Sequence, residues 1–295
     1  YNWRAMSSTS NEFQHILIAT HPQIPDASDE VTQIVKFFKE QGSSATQGFI
    51  YDEPLRKLVT DGDIDLLIAL GGDGTMLRAG HLCGPPEVPI LGINLGKFGF
   101  LTEVKKDQWH DVLPRLFEGD YWLEHRMMLR AEQWRNGEIL GTWEVLNEIV
   151  VTRGHVIRPV HLSTHVDGLP LTTFVADGMI AATATGSTAY ALAAGGPILP
   201  PELRNILLVA VAPHLSVDRA IVLAEGSTVS ITVHTDHQAV LSPDGQTPIE
   251  LMNGDRIDAY ASEHNVQFVR FQDRGYFYRN ITLHMSQNPS TGNLR

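Results

Sequence analysis

Apolar residues in the first hundred positions recur at two spacings. His15–Thr20 is a short apolar run closed by His21-Pro22 and reads as a buried strand. Asp29–Gln41 carries Val31, Ile34, Val35 and Phe38 at the spacing of one helix face, and Gly42 ends it. Asp65–Leu70 predicts a second buried strand that breaks at once into Gly71-Gly72-Asp73-Gly74. Val88–Asn94 predicts a third, followed by another glycine loop, Gly96-Lys97-Phe98-Gly99. Strand, turn and helix in alternation argue for a parallel α/β layer to about residue 100.

After a helical stretch, Gln108–Phe117, the texture changes. Trp122–Arg135 and Glu138–Arg153 are long strand-like segments joined by Asn136-Gly137, a strong hairpin signal. Shorter strands follow at Val160–Val166, Thr172–Val175, Thr228–His234, Ala239–Leu241, Ile257–Ala261 and Val266–Phe271. Turn pairs such as Asp167-Gly168, Asp244-Gly245 and Asn253-Gly254 separate them, and the small-residue segment Thr185–Ala194 predicts a short helix. The expected organisation is an N-terminal α/β domain with a parallel sheet (12–120) and a β-rich C-terminal domain (121–275). A tail (276–295) is expected to return to the first domain. No low-complexity linker separates the parts, so they are expected to pack closely, with the active site between them.

Composition narrows the function. Of 295 residues, 43% are apolar and 19% charged, a globular profile. A net charge of −12 argues against a broad nucleic-acid or anionic-membrane footprint. A phosphate site must then rely on backbone amides, a few basic side chains and a metal. The single cysteine, Cys83, excludes an intramolecular disulfide and fits a reducing cytoplasm. Apolar runs such as Ile206–Ala212 fall short of the roughly 18 residues that span a bilayer. Tyr1–Arg4 lacks the features of a signal peptide and reads as an unordered leader.

Leu70-Gly71-Gly72-Asp73-Gly74-Thr75 sets three glycines around one carboxylate directly after a strand. Glycines Gly71, Gly72 and Gly74 let a phosphate approach the amides, and Thr75 can cap the helix that follows. Asp73 cannot be there to attract a phosphate; it makes sense as a base or metal-water anchor beside one. The plain alternative, a tight turn with a capping aspartate, explains fewer of these residues. The string is neither a Walker A loop nor a Gly-x-Gly-x-x-Gly dinucleotide loop. No spacing of histidine and cysteine indicates a zinc site, and no Gly-x-Ser-x-Gly elbow is present.

This string resembles the signature of a kinase superfamily that holds NAD kinases, diacylglycerol and sphingosine kinases, and 6-phosphofructokinases. Four further segments resemble NAD kinases specifically: Gly92–Glu103, Leu146-Asn147-Glu148, Asp177-Gly178 with Thr183–Tyr190 and Ala194–Ile198, and Ala212-Pro213-His214 with Leu241–Gln246. The resemblance implies transfer of the γ-phosphate of ATP to the 2′-hydroxyl of NAD's adenosine ribose. It implies Asp73 as catalytic base and a divalent ion, Mg²⁺, held mainly through ATP. NAD would be bound by Asp73, Gly74, Arg78, Asn147, Glu148, Arg158, Asp177, Thr188, Ala189, Tyr190, Ala191, Leu192, Ala193, Ala212 and Gln246. Asp177 would come from a neighbouring subunit, implying a homodimer or homotetramer in the cytoplasm.

The residues support several of these roles independently. Asn147 and Glu148 interrupt an apolar strand, and neighbours on a strand face opposite sides, so both cannot be solvent decoration. Asparagine suits an adenine edge and glutamate suits ribose hydroxyls. The alternative is a strand end at a bend. Thr183–Tyr190 brings hydroxyls and amides close to a ligand, or else forms a tightly packed small-residue helix. Tyr190 offers an aromatic surface for a base or joins the core. For Arg78 and Arg158 the alternative is solvated surface arginine, for Asp177 a turn residue, and for His214 a structural histidine. The sequence departs from the family pattern at Ala184, where proline is usual, at Ala193, often serine, at Lys97 and Phe98, and at Leu215–Asp218. Two rivals remain. A lipid kinase of the same superfamily would want an apolar cleft, against the acidic charge. A non-catalytic dinucleotide sensor would have no use for Asp73.

Overall fold

The computed structural model describes residues 13–22, 27–96, 99–214 and 219–286. The leader Tyr1–Arg4, Lys97, Phe98, the stretch Leu215–Asp218 and the tail beyond Ser286 lie outside them. The chain forms two compact units. One comprises the chain up to Leu123 with Phe268–Tyr276; the other is built from Glu124–Gln267 with Phe277–Ile281.

In the first unit β1 (His15–Thr20), α1 (Ala27–Glu40), β2 (Ser44–Phe49), α2 (Glu53–Thr60), β3 (Leu66–Leu70), α3 (Asp73–Cys83), β4 (Ile90–Asn94) and β5 (Val104–Lys105) follow in order. Two one-turn helices, α4 (Trp109–Val112) and α5 (Pro114–Phe117), stand where a single helix is expected. Pro114, which has no backbone N–H to donate, opens α5 and interrupts the helical ladder. Strand pairing is parallel throughout: β2 on β1, β1 on β3, β3 on β4, β4 on β5. Each residue of β3 and β4 is buried, as the continuous apolar runs predict for a parallel layer. Val31, Ile34 and Phe38 of α1 pack with Ile16, Ile18, Leu66, Ile68, Leu91 and Ile93 in one core.

The second unit is antiparallel. It begins with β6 (Trp122–Arg135), β7 (Glu138–Val145), β8 (Glu148–Arg153), β9 (Val160–Val166), β10 (Leu169–Ala176) and β11 (Gly178–Ala182). The one-turn helix α6 (Tyr190–Ala193) precedes β12 (Asn205–Val211), β13 (Ile221–Ala224), β14 (Val229–His234), β15 (Ala239–Pro243), β16 (Ile249–Leu251) and β17 (Arg256–Arg270). Six strands form one sheet in the order β13-β12-β11-β8-β15-β16. Against it, across a shared core, lie β10, β9, β14 and the first part of β17, with β6 and β7. Ile149, Val151, Met179, Ala181, Ile206 and Leu208 face that core. Val150, Ile180, Ala182, Leu207 and Val209 face the other way and pack on Ala184, Ala191 and Leu199. These three strands are covered on both faces, so their sequences lack polar alternation.

Two further expectations change. The Glu138–Arg153 segment is not one strand: β7 stops at Val145 and β8 starts at Glu148, with Leu146-Asn147 as a bend. Conversely, the two strands read at Ile257–Ala261 and Val266–Phe271 are one, β17; the polar residues Ser262–Asn265 are paired strand and not a turn. The end of β17 belongs to the first unit, where Phe268 pairs in parallel with Ile90. Helix α7 (Tyr276–Ser286) follows.

Candidate active site

The first unit supplies the glycine loop. Helix α3 begins at Asp73 itself, with Gly72 as its extended N-cap and no side-chain cap. Thr75 does not cap, contrary to expectation; it is buried in the first turn, and its Oγ1 and Cβ occupy the space that a Cβ on Gly71 would need. The Asp73 carboxylate stands at the positive end of the helix dipole. Both of its oxygens accept backbone amides from the second glycine loop: Phe100 N at 2.8 Å on Oδ2 and Leu101 N at 3.0 Å on Oδ1. Gly99 makes this approach possible, because a Cβ there would overlap the carboxylate. An ionised carboxylate has about four lone-pair sites, so two amides leave it able to accept a further proton donor.

Arg78 is exposed one turn further on. Its Nη1 donates to the Gly74 carbonyl at 2.9 Å, and its guanidinium lies 5.3 Å from the centre of the Tyr51 ring. Gly71, Gly72, Asp73, Gly74, Thr75 and Arg78 are therefore gathered at the carboxyl end of β3, where ligands bind in open α/β sheets.

The second unit supplies a different cluster. The bend before β8 is held by Asp244, from the turn after β15. Its carboxylate accepts Leu146 N at 2.7 Å, Asn147 N at 2.9 Å and Glu148 N at 2.8 Å. Asp244 takes a left-handed conformation (φ 44°), tolerated by aspartate. Sequence reading gave Asp244 only a turn role; its partners lie some hundred positions away, and no local spacing could have found them. Asn147 is thus a bend residue after all, but a braced one. The carbonyl of Asn147 accepts Thr183 N at 2.8 Å, and Gly186 sits against the Asn147 backbone where any Cβ would overlap it. Gln246 is exposed in the turn that carries Asp244.

Glu148 shares a face of β8 with Val150, under the segment Thr183–Ala193. It is buried, and its Oε2 has no hydrogen-bond partner among the described residues. Burial first, and then the nearby Asp244 charge, push its pKa up to about 8, while the Tyr190 amide bond opposes them. Tyr190 is 45% exposed, so its ring is available and not core. The segment itself is a short 3₁₀ turn, Gly186–Thr188, running into α6, with Ser187 Oγ tying it to Leu199. Thr188, Ala189, Tyr190, Leu192 and Ala193 line its accessible side, whereas Ala191 is buried in the core. A buried pair, Arg126 with Glu124 at 2.9 Å, reaches the segment from below through Arg126 Nη1 to Thr185 Oγ1 at 3.1 Å.

Asp177, Arg158 and Ala212 do not join this cluster. Asp177 pairs with Arg153 at 3.1 Å, and its amide donates to Val211 O at 2.9 Å. Ala212 follows with φ 46°, a conformation uncommon for alanine, and Arg158 is exposed in the loop after Arg153. These residues lie at the Arg153 end of β8, while Asn147 and Glu148 stand at its start. Six residues of strand separate the two ends by about 17 Å.

Comparison with known proteins identifies what this arrangement is similar to. The family model for the ATP-NAD kinase N-terminal domain matches residues 13–121, and that for the ATP-NAD kinase C-terminal domain matches 146–271. An NAD kinase from Chloroflexus aggregans is 41% identical over 226 residues, 77% of this chain and 82% of that protein. One from Chloroflexus aurantiacus is 38% identical over 269 residues, 90% and 96%. Among solved structures, yeast NADH kinase complexed with NADH superposes with a TM-score of 0.82 at 23% identity, covering 98% of this chain and 94% of that one. An Archaeoglobus fulgidus NAD kinase in complex with ATP gives 0.73 at 24%, covering 92% and 98%.

Proposed function

The chain belongs to the ATP-NAD kinase family and phosphorylates NAD with ATP, and we propose how its residues do so. Asp73 accepts the proton of the adenosine 2′-hydroxyl as that oxygen attacks the γ-phosphorus in line, giving NADP and ADP. The observation that carries this reading is the seat of the Asp73 carboxylate, fixed by two amides at the mouth of a glycine loop. Amides of Gly72 and Gly74, with Arg78, face the phosphates; the Thr75 amide is given to the Gly72 carbonyl at 2.9 Å and tightens the loop. Among the described residues no three His, Cys, Asp or Glu side chains gather to hold a metal ion. A divalent ion, Mg²⁺, held mainly through ATP would neutralise charge on the phosphate oxygens.

Asn147 and Glu148 grip the adenosine, Glu148 through the buried oxygen that lacks a partner, and Tyr190 gives the base a surface. Ala189, Leu192 and Ala193 leave room for the backbone to approach, and Thr188 and Gln246 add polar contacts. Such grip decides which hydroxyl reaches the phosphorus. Asp177, with Ala212 and Arg158, serves the nicotinamide end of a dinucleotide held by a second copy of the chain. The reach of about 17 Å along β8 supports this, as do the exposed side chains of Val156 and Ile157 in the adjoining loop. The working form is then a homodimer or homotetramer. The site of action is the cytoplasm, in keeping with the single cysteine, Cys83. Among the described residues no helix is long and apolar enough to cross a membrane. Incubation of the purified protein with Mg-ATP and NAD, followed by detection of NADP, tests the reading directly; no NADP under any divalent ion sinks it.

A further inference from the structure

Among the described residues Arg270 is the largest side chain that is wholly buried, and it is charged. It closes β17 within the first unit, between the rings of Phe268 and Tyr276, each centred 5.1 Å from its guanidinium. A buried ion pair stabilises little against a well-packed apolar substitute, so its presence asks for another reason. Its contacts supply one. Arg270 Nη1 donates to the Leu101 carbonyl at 3.1 Å and lies 3.3 Å from Glu103 Oε2. Glu103 Oε1 accepts the amides of Phe271 at 3.0 Å and Gln272 at 3.1 Å. Its own amide donates to Gly92 O at 3.1 Å. Leu101 is therefore held from both sides of one residue: its carbonyl by Arg270, its amide on Asp73.

We propose that Arg270 and Glu103 are positioning residues for the phosphoryl transfer, fixing residues 99–103 so that the Phe100 and Leu101 amides hold the Asp73 carboxylate in line with the acceptor hydroxyl. The proposal rests on the reading of Asp73 as the base. Both side chains are buried and spent on the contacts above, so losing either changes the aim of the carboxylate and leaves binding in place. A displacement of about 1 Å at a reacting group costs up to about 10²-fold in rate.

The test uses the full chain with Mg-ATP and NAD. Arg270→Met keeps the length and removes the charge. It should lower kcat by about 10- to 100-fold, with both KM values within about two-fold of wild type. In an Asp73→Asn background the same substitution should lower kcat by no more than about two-fold, because a carboxylate already removed has no aim to lose. A merely structural role would lower activity in both backgrounds alike. Should Arg270→Met fail to fold, Glu103→Gln makes the same two demands with less change of shape. A kcat within about two-fold of wild type, a rise in KM without a fall in kcat, or a full further loss in the Asp73→Asn background would each overturn the proposal. If Asp73→Asn itself turned over normally, the base reading would fall first, and the two failures are told apart by that single variant.

Discussion

Two carboxylates carry opposite physical settings. Asp73 sits half-buried among amide donors, and Asp73→Asn should leave folding and NAD binding nearly intact while lowering turnover by about 10²–10⁴-fold. Isothermal titration of NAD alongside a rate assay checks both halves; turnover within a few-fold of wild type rules out a base. Glu148 instead has one oxygen, Oε2, with no donor among the described residues, and burial raises its pKa from 4.5 to about 8. The folded chain then keeps a proton that the unfolded chain has lost, so this group's contribution to stability is complete below pH 4.5. It declines as pH rises and is gone above about 8. Glu148→Gln removes that decline, and unfolding curves of the two proteins should diverge across this window, the variant gaining. Ribose hydroxyls need the charged acceptor, so the KM for NAD should fall as pH rises towards 8. In Glu148→Gln it should be higher and flat, with the KM for ATP little changed. A KM for ATP that moved alone would transfer Glu148 to the triphosphate site.

At the scale of elements, the bend between β7 and β8 illustrates what the sequence carries and what it hides. Polar residues inside an apolar run mark Asn147 and Glu148 as unusual, and the resemblance gives them a ligand. The support lies in Asp244, whose three bonds reach back across 96 to 98 positions. Periodicity reports which face of an element is buried; it says nothing about which distant turn will brace its end. The same limit hid Glu103 and Arg270, 167 positions apart. It also hid β2, whose polar face gives only a weak alternating signal, and β11, whose run Gly178–Ala182 is buried on both faces and has none. By contrast β1, β3, β6 and the face of α1 were legible, because each is decided within a span of at most 14 residues. Asp244→Ala strands three amides in the interior and should destabilise the fold by about 2–4 kcal/mol. Chemical denaturation would show this as a lower midpoint, and NAD binding should weaken with it. A midpoint unchanged from wild type would deny Asp244 its bracing role.

For the molecule as a whole, the distance along β8 makes the sharpest demand. If Asp177 serves a neighbour's dinucleotide, Asp73→Asn and Asp177→Ala chains should each be poorly active alone. Mixed oligomers can place an intact Asp73 and an intact Asp177 in one site, and part of the activity should return. No recovery on mixing, or full activity from a species that sediments as a monomer, would dispose of shared sites.

The reach of Arg270 to Glu103 also sets a clock. A ribosome adding about 5–20 residues each second needs on the order of 10–30 s to travel from one partner to the other. Throughout that interval the residues of β1 to β4 and of the glycine loop have been made, but the loop beside Asp73 lacks its anchor. A nascent chain halted before Arg270 would hold the base and most of the grip on NAD, yet have its carboxylate unaimed. On the proposal made for Arg270, that carboxylate is aimed only once the end of β17 has been added.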